Sequence, residues 1–193
     1  MTRIKHTNKY AIMLVGYTHS GKTTFAKKLI KSLNDTILID NDEIASFINK
    51  KYPSAVFSPY NKIKRTFKEP NLKFLLSQDI FKFSLRAGLN IIHASGNLGK
   101  DARLVITNNA KKYNYKLITV YFNLPRGLII KRISSTKKGT SAFKSAKSWS
   151  EVLVKQDKYA ELPPSQKNTI YFEIKDPKDY QKVLKELNKL LLK

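Results

Sequence analysis

Apolar and polar positions along this 193-residue chain alternate between two periods. Tyr10-Ala-Ile-Met-Leu-Val15, Thr36-Ile-Leu-Ile39, Asn90-Ile-Ile-His93, Tyr115–Phe122 and Thr169–Glu173 have the length and composition of buried strands. The segments between them keep helical spacing over 22–33, 42–50, 71–87, 101–113, 126–133, 149–160 and 178–192. In the last of these, Val183, Leu184, Leu187, Leu190 and Leu191 share one side. Pro125 is expected at the first helical position of its segment, where a missing N–H costs nothing. Strands alternating with helices predict an α/β fold, a three-layer sandwich. Its five-stranded sheet should be mostly parallel, with helices on both faces.

Two stretches break the pattern. Residues 51–70 carry Pro53, Pro59 and Pro70 and are expected to cover one side of the site. Ser134–Ser148 is polar, rich in Ser and Lys and without periodicity, as in a mobile lid. There are no internal repeats, so residues 1–193 are expected to form a single domain.

The first strand runs into Gly16-Tyr-Thr-His-Ser-Gly-Lys-Thr23, a complete G-x-x-x-x-G-K-T, and a helical segment follows. Strand, loop and helix in that order are the context a phosphate-binding P-loop requires. Glycines let the backbone wrap a phosphate, amide N–H groups point inward, and the helix N-terminus adds partial positive charge. The motif predicts a P-loop NTPase fold and a bound nucleoside triphosphate. Lys22 would reach the β- and γ-phosphates, and the Thr23 hydroxyl would take a Mg²⁺ position.

Composition narrows this further. Cysteine is absent, which removes disulfides, thiolate nucleophiles and Cys-based zinc sites. The apolar stretch near the N-terminus is short, and nothing approaches the ~20 apolar residues of a membrane span. A soluble, cytoplasmic protein is expected. The net charge is +23, yet only six of the 37 basic residues are Arg. Codon bias toward Lys accounts for part of that excess but not for only 14 acidic residues, so a nucleic acid or another polyanion is an expected partner. RNA-module signatures are missing, and no basic run is interleaved with aromatics. Oligomeric state is not legible.

A P-loop does not by itself separate kinases from GTPases and motors. Asn61-Lys62-Ile63-Lys64 lacks the Asp of a guanine-recognition motif, which argues against a GTPase. Ile39-Asp-Asn-Asp-Glu43 ends the second strand, and ligands of open parallel sheets lie beyond the carboxyl ends of their strands. A carboxylate there can take the proton of an attacking hydroxyl. Asn41 or Asp42 can equally start the next helix as a cap, and one carboxylate can serve both ends.

With these residues in view, the chain resembles the small P-loop kinases related to polynucleotide 5′-hydroxyl kinase, adenylylsulfate kinase and the zeta-toxin kinases. The likeness spans nearly the whole chain. It rests on Gly16–Thr23, on Ile39-Asp-Asn-Asp42, and on Gly88-Leu-Asn-Ile-Ile-His-Ala-Ser-Gly-Asn-Leu98 with Arg103. It continues through Asn123-Leu-Pro125, Lys131-Arg132, Trp149–Asp157 and Leu162-Pro-Pro164. The resemblance implies that Asp42 is the general base and touches the acceptor, and that Arg132 holds nucleotide phosphates beside the lid. It puts Arg103 near the acceptor and Lys138 near a second lid arginine.

The expected nucleotide contacts are Gly16, Thr18, His19, Ser20, Gly21, Lys22, Thr23, Thr24 and Arg132, with Thr23 and Asp40 on Mg²⁺. Lys22, Asp42 and Arg132 are the expected catalytic set. Three departures stand out: Ala45 where an acceptor-gripping arginine is usual, His93-Ala94-Ser95 where an acid is often found, and Lys137 and Lys138 where arginines are common. His93 reads either as a satisfied core histidine or as a substrate contact. Ser95, Gly96 and Asn97 read as acceptor contacts or as an ordinary loop. The implied activity is ATP-dependent phosphoryl transfer to a hydroxyl, with a nucleic-acid or nucleotide 5′-hydroxyl first in order. A small-metabolite kinase and a non-catalytic ATP-binding module are the alternatives.

Overall fold

The computed structural model describes residues 9–52, 72–136, 147–163 and 170–192. Its strands are β1 (Tyr10–Gly16), β2 (Thr36–Ile39), β3 (Asn90–His93), β4 (Lys116–Phe122) and β5 (Ile170–Ile174). Its helices are α1 (Lys22–Leu29), α2 (Asn41–Lys51), α3 (Leu72–Ala87), α4 (Lys100–Lys112), α5 (Arg126–Ser135), α6 (Trp149–Asp157) and α7 (Asp179–Leu191). Each of the five sequence runs expected to be a strand is one. The sheet order is β2-β3-β1-β4-β5, and every pairing is parallel rather than most of them.

Strand β1 lies in the middle and is buried on both faces, which is why its run is apolar at every position instead of alternating. Tyr10, Ile12 and Leu14 point to one layer, where they meet Phe25 and Leu29 of α1, Ile129 of α5, Trp149 and Leu153 of α6, and Leu187 of α7. Ala11, Met13 and Val15 point to the other, against Phe81 and Leu85 of α3 and Ile106 of α4. The period-two alternation of one strand thus assigns the helices to two faces.

Two boundaries differ from expectation. The first helix gives way to a 3₁₀ turn at Ile30–Ser32 before its expected end. Pro125 is the N-cap of α5 and not its first residue: its ψ is 135°, outside the helical well, while its carbonyl accepts from Leu128 and Ile129 N–H. The proposed lid lies mostly, and the 51–70 cover largely, outside the described residues, as do Arg65, Lys68, Lys137 and Lys138.

After β1 the chain turns toward β2, and after β3 it turns toward β4. Those neighbouring strands therefore send their connections in opposite directions, and a crevice opens between them at the carboxyl edge of the sheet. The P-loop and the loop after β3 are its two lips, tied by a Gly16 N–H to Gly96 carbonyl hydrogen bond of 2.9 Å.

Candidate active site

Two glycines shape the P-loop for different reasons. A Cβ on Gly16 would sit 2.8 Å from Cβ of Phe122, so only hydrogen fits. Gly21 caps α1 with φ of 97°, a left-handed conformation that glycine adopts without strain. His19 also has a positive φ, 57°. Its ring meets Trp149 edge-on, with centroids 4.8 Å apart.

Lys22 is 8% exposed and folds back onto its own loop, donating to the Tyr17 carbonyl at 2.5 Å and to Ser20 Oγ at 3.2 Å. Burial pushes its ammonium down to about 8, opposed by the fields of Asp42 and Asp40. It is a desolvated cation beside a loop of N–H groups, an arrangement that an anion would stabilise. Thr23 Oγ1 donates to Asp40 Oδ2 at 2.9 Å, and Asp40 Oδ1 accepts from Asp42 N–H at 2.8 Å. Both Asp40 oxygens are thereby engaged: one on the P-loop, the other capping α2. Asp42, half-buried, lines the cavity one residue beyond the start of that helix.

The cap that sequence reading offered to Asn41 or Asp42 thus belongs to Asp40. The Asn41 backbone N–H meets Ser95 Oγ at 3.4 Å. Its Oδ1 is sealed from solvent with no hydrogen-bond partner among the described residues.

Around these groups opens a cavity of about 1290 Å³. At one end stand Thr24, Arg132, Pro177, Tyr180 and Gln181, from α1, α5 and the turn into α7. At the other stand Asp42, Phe74, Ser95, Lys100 and Tyr159, from α2, α3, the loop after β3, the start of α4 and the segment after α6. Thr18, His19, Gly21, Lys22 and Thr23 lie on its wall, while Ser20 is fully buried beneath them. Arg132 Nη1 donates to the His19 carbonyl at 3.1 Å, so α5 is fastened to the P-loop. Tyr180 Oη donates to the Ser20 carbonyl. Burial raises the Tyr180 phenol, and neighbouring Arg132 opposes that.

Arg103 does not join this group. It is 6% exposed, and Nη1 serves the carbonyls of Asn97, Leu98 and Glu161 at 3.1, 2.5 and 3.1 Å. With Nη1 committed to three carbonyls, two of them buried, Arg103 braces the loop after β3. Ala45 is buried on α2 and is not among the residues facing the cavity. His93 is also buried, and burial lowers its pKa to about 4. A neutral imidazole suits its Nδ1 contact with Asn97 Nδ2 at 3.2 Å, which makes Nδ1 the acceptor.

Sequence reading missed Gln156, which holds the Thr18 N–H at 2.9 Å, and the Pro177–Gln181 turn. Signals for both existed. Gln156 is seven residues after Trp149 and so on the same helix face, and the turn follows the last strand at the edge where ligands gather. A hard oxygen set of hydroxyl and carboxylate, Thr23 and Asp40, fits Mg²⁺, which favours one or two carboxylates together with substrate phosphates. Among the described residues there is no cluster of three or more His, Cys, Asp or Glu that would form an all-protein metal cage.

Residues 12–163 match the profile of the AAA_33 family, described as an AAA domain. The chain belongs to that family. No curated protein is a significant match by sequence. Among solved structures, a sugar kinase from Janibacter sp. HTCC2649 superposes with a TM-score of 0.61 at 15% identity, covering 95% of this chain and 94% of the other. Shikimate kinase from Bacteroides thetaiotaomicron gives 0.54 at 17% identity, covering 95% and 99%. Chaetomium thermophilum Kti12, solved with ADP-AlF3, gives 0.57 at 16% identity, covering 94% and 98%. At these identities the likeness is one of fold, and it is the fold of a small P-loop kinase domain.

Proposed function

We propose that the protein is an ATP- and Mg²⁺-dependent kinase that transfers the γ-phosphoryl group to an acceptor hydroxyl, with the 5′-hydroxyl of a nucleic acid or nucleotide as the acceptor class. The observation that carries this reading is the division of labour between two carboxylates. Asp40 has both oxygens engaged, at Thr23 and at the α2 cap, while Asp42 stands on the cavity wall within the electrostatic field of Lys22.

In this scheme P-loop N–H groups and Lys22 hold the β- and γ-phosphates. Bound Mg²⁺, held by Thr23 and Asp40 with the phosphates, would neutralise charge on the transferring group. Arg132 holds phosphates from the α5 side. Asp42 orients the acceptor and accepts its hydroxyl proton as the acceptor oxygen bonds to phosphorus. The bond from phosphorus to the bridging β-phosphate oxygen breaks, and ADP leaves with that electron pair. Most of the acceleration would come from positioning and electrostatics, since the protein forms no covalent bond.

Lys73, Lys100 and Lys158 with Phe74 and Tyr159 at the far end of the cavity support a phosphate-bearing, base-containing acceptor. So does the net charge of +23. The test is transfer of labelled γ-phosphate to 5′-hydroxyl RNA and DNA oligonucleotides beside nucleosides and nucleotide sugars. Label on an oligonucleotide, with binding that weakens steeply as salt rises, supports the full reading. Label on a small molecule alone keeps the kinase and rejects the acceptor class.

A further inference from the structure

Gln156 stands in the cavity with no part in this scheme. It lies in the last turn of α6, half-buried, and the two ends of its carboxamide meet different fates. Oε1 accepts from the Thr18 N–H at 2.9 Å. Nε2 has no hydrogen-bond partner among the described residues and lies 3.8 Å from where a Cβ on Gly96 would stand.

The location gives that NH₂ group its interest. Thr18 belongs to the lip that carries Lys22, and Gly96 to the lip that carries Ser95, whose hydroxyl touches Asn41 beside Asp42. Nε2 therefore lies between the P-loop and the loop after β3, on the wall of the cavity that Asp42 also lines. A carboxamide nitrogen is a donor with no acceptor capacity, so its two N–H bonds call for an acceptor-rich group. A terminal phosphoryl group has oxygens for both, and hydrogen bonds to ionised oxygen are about twice as strong as neutral ones.

We propose that Gln156 Nε2 contacts the terminal phosphoryl group of the bound nucleotide, so that the residue distinguishes a triphosphate from a diphosphate. The inference rests on the reading of the P-loop as a nucleotide site, not on the identity of the acceptor. The bland alternative is a brace, with Oε1 holding Thr18 in place and Nε2 idle.

The two roles separate by chemistry. Gln156→Glu keeps an oxygen for the Thr18 N–H and replaces the donor with a second acceptor. Gln156→Met keeps length and removes the donor. Mg²⁺–ADP and a non-hydrolysable Mg²⁺–ATP analogue would be titrated calorimetrically into each protein and into wild type. The expected result is that Gln156→Glu binds ADP within about twofold of wild type and the triphosphate analogue at least about tenfold more weakly. Gln156→Met should show a smaller shift in the same ratio. A Glu variant with a wild-type ratio overturns the proposal, as does parallel loss of both ligands, which is the signature of a brace. Wild-type protein that binds neither nucleotide removes the P-loop reading itself, an outcome distinct from an unchanged ratio.

Discussion

The two ends of the cavity are built by opposite strategies. At the proposed nucleotide end, one continuous stretch, Gly16–Thr24, supplies nearly every expected contact, and distant residues fasten it: Arg132 on the His19 carbonyl, Tyr180 on the Ser20 carbonyl, Gln156 on the Thr18 N–H. At the proposed acceptor end, no stretch dominates. Asp42, Phe74, Ser95, Lys100 and Tyr159 come from five separate places in the chain. A site made of backbone N–H groups tolerates change around it, whereas a site made of side chains is respecified whenever one is replaced. That contrast fits a shared phosphate grip with a varied acceptor.

The largest expected break is at the nucleotide end. Lys22→Met should lower transfer by roughly 10³-fold or more, because the cation meets charge that develops on the transferring group. It should also weaken ADP binding, which calorimetry reads directly. The same substitution should leave the fold intact and raise its stability at pH 7. Sign follows from the buried ammonium: its folded pKa of about 8 lies below the ordinary lysine value of 10.5, so the unfolded chain binds more protons through that window. Wild-type stability should rise with pH between those values, and Lys22→Met should lose the slope in urea unfolding.

Asp42→Asn breaks the other end. It should lower kcat by roughly 10²- to 10⁴-fold, in the range of a lost general base, with ADP affinity unchanged. Asp40→Asn should differ by weakening the Mg²⁺ dependence of nucleotide binding while keeping the α2 cap, since an asparagine oxygen accepts the Asp42 N–H as well as a carboxylate does. If the two variants proved indistinguishable, the division between the carboxylates would be gone.

Smaller effects sharpen the contrast through stability. Arg103→Met leaves three carbonyls, two of them buried, without this donor and should cost about 2–4 kcal/mol in urea unfolding, with nucleotide binding kept. Acidification probes His93. Its folded pKa of about 4 lies below the ordinary 6.5, so its contribution is complete above pH 6.5 and is lost as pH falls toward 4. Replacing His93 by Gln should flatten that part of the profile.

The same contrast explains what was legible in the sequence. The P-loop, all five strands and the Asp40–Asp42 pair could be read because their information is local: a motif, a run, a strand end. That the cap falls to Asp40 required its two oxygens to be seen on different partners. Arg103 was placed near the acceptor by resemblance, and its position in the sequence carries no sign of the carbonyls that Nη1 meets. Gln156 and Tyr180 reach the P-loop from 138 and 160 residues away, and only the packing of α6 and α7 on one face of the sheet brings them there. Pro125 was misplaced by one residue because its ring fixes φ but leaves ψ to the surrounding loop.

The most direct test sets labelled γ-phosphate transfer beside ADP titration for wild type, Asp42→Asn and Lys22→Met, with 5′-hydroxyl RNA as acceptor. The account predicts label on RNA with wild type, near-background transfer with unchanged ADP affinity for Asp42→Asn, and loss of both for Lys22→Met. Wild-type transfer rates in Asp42→Asn, or ADP bound tightly with no label reaching RNA, DNA, nucleosides or nucleotide sugars, would contradict it.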